Sequence, residues 1–159
     1  MIIKAMKTIV SRWRQLEHYI SSLLVQDFMD PKAYCNLLFD DETFSRSRLY
    51  FWILGFVIEV QPCIEDNITQ FTLYQEARVW PFLRESEAKE NAAREAPGSS
   101  STIEFDKIAD SIIRAYDHEG NEIKHDLKNL KARFDAISES VRALRDGVRA
   151  LTFPTTYNC

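Results

Sequence analysis

The sequence predicts an all-α protein: a bundle of long antiparallel helices ending in a long, coiled-coil-like carboxy-terminal helix. Three observations carry this expectation. Only 4 glycines and 5 prolines punctuate 159 residues, so elements should run long. Apolar residues make up 45% of the chain, enough to fill a core and to argue against global disorder. Their spacing is mainly by threes and fours, the period of a helix face, with little of the alternation a strand requires.

The length fits one domain of ordinary size, with residues 1–96 as a helical core. A first helix is expected over 4–29. Met6, Ile9, Trp13, Leu16, Ile20 and Leu23 share one stripe, which Val10, Leu24 and Phe28 widen. Asp30 then suits an N-cap and Pro31 the first position of a short helix over 31–39, where a missing N–H costs nothing. The acidic turn Asp40-Asp41-Glu42 leads into a third helix over 43–60, its carboxylates placed where a helix amino terminus favours negative charge. That helix carries Phe44, Phe51, Trp52, Leu54, Phe56 and Ile58. It reads as apolar nearly all round and is therefore expected at the centre of the bundle.

Gln61-Pro62 should end the third helix and open a fourth over 63–80, with Ile64, Ile68, Phe71, Leu73 and Tyr74 on its apolar side. Pro81 should break or kink it. A solvated extension rich in Glu, Ala, Lys and Arg follows over 83–96, and Pro97-Gly98-Ser99-Ser100-Ser101 makes a linker.

The terminal helix is expected over 102–151. Ile123, Leu127, Leu130, Phe134, Ile137, Val141, Leu144, Val148 and Leu151 step by four and three without an error. Backwards, Ala109, Ile113, Tyr116 and Gly120 keep the register, with Gly120 as its weak point. A heptad repeat sustained this long argues for a coiled-coil seam. At about 1.5 Å of rise per residue the rod would be roughly 70 Å long. Glu119 with Lys124 and Asp126 with Lys131 have the five-residue offset of g-to-e′ pairs, which supports the register, whereas the downstream pairs Arg133 with Ser138 and Ser140 with Arg145 give no such support. Phe153-Pro154 ends the helix within a tail over 152–159.

Several function classes are disfavoured. The net charge is −4 and no basic block stands out, which argues against nucleic acid as a partner. The most apolar run, Leu49 to Ile58, stops at Glu59, whereas a membrane span needs about 20 apolar residues. Lys4, Lys7, Arg12 and Arg14 precede the first acid, Glu17, as in some transit peptides. The apolar pattern nevertheless continues past residue 16, which favours an ordinary first helix. Cys35, Cys63 and Cys159 are odd in number and widely spaced, which suits reduced thiols and a cytoplasmic location.

Catalytic motifs are missing. There is no GxSxG, HExxH, P-loop or GxGxxG pattern, and no enzymatic activity is expected. His18 reads as a boundary residue of the first helix. The best metal candidate is His118, Glu122 and His125, whose spacings of four and three share one side of the terminal helix. Their heptad positions lie opposite the seam, where a four-ligand site with supporting hydrogen bonds is hard to complete. With the carboxylates at 40–42 as a second possible cation site, they define an alternative reading as a divalent-metal-responsive regulatory domain. No other cofactor is implied. The main expectation is a soluble, non-enzymatic interaction or oligomerisation domain. It would associate with itself or with another helical protein through Ile113, Tyr116, Ile123, Leu127, Leu130, Phe134, Ile137, Val141, Leu144 and Val148.

Residues 37–83, with the blocks FDDETFSRSRLYFW (39–52) and IEDNITQFTLYQEARV (64–79), resemble a segment recurring in the CorA-like magnesium transporter family of fungi. VRALRDG (141–147) resembles the end of the long helix that leads toward the membrane in that family. The resemblance spans about half the chain and implies the cytosolic helical part of such a protein. The family's pore-forming span and its Gly-Met-Asn tripeptide do not occur among these residues, and Gly120-Asn121 is not that tripeptide. No pore residue carries over, and transport by this chain alone is not expected.

Overall fold

A computed structural model describes residues 2–24, 42–95 and 103–152. It is an all-α helical bundle, with no strand among the described residues. The helices are α1 (Ile2–Leu24), α2 (Ser45–Arg78), α3 (Trp80–Glu95) and α4 (Ile103–Thr152). The expected short helix over 31–39, the linker over 97–101 and the tail after Thr152 lie outside the described residues.

One boundary differs from the sequence reading. Pro62 does not end a helix: α2 runs through it as one element of 34 residues. Proline removes one N–H bond and crowds the carbonyl four residues back. Here Pro62 lies on the exposed side, where water can take up the freed carbonyl. The next interruption falls at Val79, two residues before Pro81. Proline disfavours helical geometry in the residue before it and suits the start of a new helix, and α3 accordingly opens Trp80-Pro81. The amides of Phe82 and Leu83 both donate to the Val79 carbonyl, at 3.2 Å each. Ahead of α2, Phe44 has φ of 56°, and its carbonyl accepts the Arg48 amide at 3.0 Å.

The chain folds as two compact units. The first comprises Met1–Val10 and Glu65–Lys128, the second Ser11–Ile64 and Asn129–Cys159. In the first, Ile3, Met6, Val10, Phe71, Val79, Ile123 and Leu127 are buried. Tyr116 meets the backbone of Ile3, and Lys7 bonds Glu119 at 3.0 Å, so α1 and α4 run the same way. Phe71 and Gln75 close over Gly120 while Tyr74 bonds Tyr116, so α2 runs against α4. The antiparallel pair of the bundle is α2 with α4.

In the second unit the core is Ile20, Leu24, Tyr50, Ile53, Leu54, Val57, Val60 and Ile64 with Leu130, Phe134, Ile137, Val141 and Leu144. Polar ties border it: Arg133 reaches Glu17 at 3.3 Å, and the Gln61 amide donates to Asp135. The expectation that residues 43–60 are buried all round is overturned. Their buried stripe contains Tyr50, Ile53, Leu54, Val57 and Val60, whereas Phe51, Trp52 and Ile58 are more than half exposed. The other described helices of this unit, α1 and α4, can cover only one side of a cylinder, and the apolar content of α2 exceeds what that side holds.

Candidate interaction surface

The heptad seam of α4 is covered from within the chain. Ile123, Leu127, Leu130, Phe134, Ile137, Val141 and Leu144 are all buried, and Ile113 and Tyr116 are half-buried. The side chain of Val148 lies outside those described. This apolar edge is filled by α1 and α2 and offers little free area to a second molecule.

The three metal candidates do not come together as a site. His118 Nε2 lies 3.6 Å from Glu122 Oε1, a contact between two well-exposed side chains. His125 is exposed on the next turn, and among the described residues no group of three or more His, Cys, Asp or Glu is placed to hold a metal ion. Of the acidic turn, only Glu42 is described, in an exposed turn.

A polar cluster crosses the first unit. Gln75 is completely buried on α2. Its amide nitrogen lies 3.5 Å from Asp117 Oδ1, at the long limit of a hydrogen bond, and its carbonyl oxygen has no hydrogen-bond partner. Asp117 also accepts from the Trp80 indole at 3.1 Å and from Asn121 at 3.0 Å. The ammonium of Lys124 sits 5.8 Å from the Trp80 ring centre, within cation–π range. One carboxylate on α4 thus gathers donors from α2, α3 and its own next turn. Beside it lies a cleft of about 260 Å³ lined by Leu83, Glu87, Arg114, Asp117, His118 and Asn121. Two of its lining side chains have local partners, Arg114 with Asp110 at 2.7 Å and His118 with Glu122 at 3.6 Å. The cleft shows no nucleophile beside a base.

Among the described residues, Tyr116 is a titratable group whose surroundings disfavour its charged form. Burial pushes its hydroxyl above the ordinary tyrosine value, and a hydrogen bond with Tyr74 pushes the same way; the backbone of Ile3 opposes both.

The outer side of α2 in the second unit exposes large apolar side chains. Trp52 is 51% and Ile58 57% exposed. Between them Gly55 has nothing within 4 Å of where a Cβ would stand. The Trp52 ring stacks on Phe56 with centroids 5.7 Å apart, which holds the indole against the helix. Arg48 and Glu59, both exposed, close the two ends of this face. The sequence reading took these aromatics for core. A signal was present in the positions of Arg48, Gly55 and Glu59, which share a helix side with Trp52 and mark it as the solvent side.

No protein-family model matches the chain, and neither a curated protein nor a solved structure does. Among the described residues, no helix is long and apolar enough to cross a membrane.

Proposed function

We propose that this chain is a non-enzymatic helical interaction module, and that its docking surface is the outer face of α2, not the heptad seam of α4. The observation that carries the reading is the placement of a half-exposed Trp52 and Ile58 about an open Gly55 on a helix already packed on its other side. Water-exposed apolar side chains clustered on one helix face favour burial by another protein, and tryptophan is the residue most enriched where such burial is strong. The resemblance to CorA-like proteins agrees with such a role. It suggests a cytoplasmic helical part that assembles with other chains and does not transport ions by itself.

A photo-reactive phenylalanine analogue at position 55 tests this, with position 128 on exposed Lys128 as control. Irradiation of cells expressing each variant is expected to give a discrete protein adduct from position 55 and none from 128. No adduct from 55, or the same adducts from both, removes the reading.

A further inference from the structure

We infer that the occupant of the outer face of α2 is the same face of a second copy, in an antiparallel, two-fold pair; this rests on the reading of that face as a docking surface. The argument is one of self-complementarity. Arg48, Trp52, Gly55 and Glu59 follow one another by four, three and four, the spacing of a single helix seam. That spacing reads the same in both directions. A two-fold axis between positions 53 and 54 therefore sets every member of the row opposite another member. Trp52 of one copy meets Gly55 of the other, and Arg48 meets Glu59.

Each meeting is favourable. Gly55 has open space where a side chain would stand, so it leaves a notch, and the opposing indole is the large exposed group that fills it. Small residues at a crossing point let two helices approach closely. At the rim, a guanidinium opposes a carboxylate twice, once on each side of the axis. The parallel arrangement would set Arg48 against Arg48 and Glu59 against Glu59, so charge selects the antiparallel one. Arg48 and Glu59 stand eleven positions apart, roughly 16 Å along the helix, too far to pair within one chain. An isologous contact of this kind closes on itself and forms a dimer, not a fibre.

The row covers about three helical turns, so the interface belongs at the small end of protein interfaces and the dimer should be of modest affinity. Sedimentation velocity on the purified chain, from about 1 µM to about 1 mM, spans the range expected for such a contact. The wild type is expected to pass from monomer to dimer with concentration. Arg48→Glu should weaken the dimer about tenfold, because two attractions become two repulsions. Glu59→Arg should do the same, and the double reversal should restore wild-type association. Trp52→Ala should weaken the dimer by about thirtyfold, as for a central interface tryptophan. Circular dichroism checks that each variant keeps its helicity, and if one charge variant does not fold, the other reads the same contact.

A wild type that stays monomeric throughout overturns the second-copy inference. Adducts from position 55 with a different protein would then leave the docking surface itself standing. A dimer unmoved by both charge reversals, or weakened by each and not restored by the pair, overturns the proposed geometry.

Discussion

The Gln75 amide of α2 occupies the space a side chain at Gly120 of α4 would need: a Cβ built on Gly120 overlaps Gln75 Nε2, with Gln75 Cδ at 3.1 Å and the Phe71 ring at 3.4 Å. Gly120 looked like a gap in the heptad register. It is the position that admits a polar side chain into the α2–α4 contact.

Gly120→Ala is therefore expected to destabilise the protein by up to about 2 kcal/mol. Alanine in place of glycine favours a helix by about 1 kcal/mol, but overpacking a closed site costs about 1–3 kcal/mol. Gln75 is the group that must yield, and it is fully buried. Gln75→Ala should accordingly be less harmful in the Gly120→Ala background than alone. Urea unfolding of the two single variants and the double variant measures this coupling; additive effects would show that the two residues do not compete for space.

Leu127 has no exposed surface and Leu144 only 5%. Leu127→Ala should cost about 2–5 kcal/mol and Leu127→Asp more, since a charge would be buried without a partner. Ile112, which is 60% exposed, should tolerate alanine within about 0.5 kcal/mol. Thermal melts of the three variants check the contrast. Because the seam is filled within one chain, loss of stability in the Leu127 variants should occur equally at low and high protein concentration.

Tyr116 gives stability a dependence on alkaline pH. Its pKa is raised in the folded state, so the native protein holds that proton more tightly than the unfolded chain does. The contribution is fully present below the unfolded tyrosine value of about 10 and is lost as pH rises through the higher folded value. Stability should therefore fall above pH of about 10, and Tyr116→Phe should flatten that part of the profile. Chemical denaturation of both proteins between neutral and strongly alkaline pH makes the comparison. Equal slopes would mean that Tyr116 titrates as it does in water.

Pro62 sits inside α2 on its exposed side, where it forfeits one helical hydrogen bond. Pro62→Ala should raise stability by about 1–3 kcal/mol, the usual penalty of an interior proline reduced by whatever local adjustment the native helix has made. A lower melting temperature in this variant would show that α2 depends on the backbone geometry that Pro62 fixes.

Those features governed by periodicity were legible in the sequence. The all-α class and the continuous carboxy-terminal helix follow from apolar spacing, which local geometry alone converts into a face. The register from Ile123 to Leu144 was legible for the same reason, but not the identity of its cover. Ile9, Leu16 and Leu23 lie in the same stripe of α1 as Ile20, yet only Ile20 of these is buried, because the stripe is wider than the groove it meets. Pro62 was misread because its penalty depends on which side of the helix it faces, a tertiary fact. The Trp52 face was hidden by its own composition: on α2 apolar residues mark both the core side and the solvent side. Gln75 and Asp117 gave no signal at all, since a buried amide and a carboxylate can be recognised only through the donors that tertiary structure brings to them.

The connectivity of these helices also orders their assembly in time. Ties between α1 and α4 join residues 112 and 116 positions apart, whereas those joining α2 and α3 to α4 span 37, 42 and 74. Closing the longer loop costs more entropy, by about 0.6 kcal/mol for each doubling of length. The α2–α4 hairpin should thus cross the folding barrier first and α1 should arrive on a surface already made. In stopped-flow kinetics, Ile64→Val in α2 should slow refolding, while Ile20→Val in α1 should speed unfolding and leave refolding unchanged. The reverse pattern would place α1 in the nucleus. Of the described helices, α1 leaves the ribosome before the other three and then waits longest for its contacts.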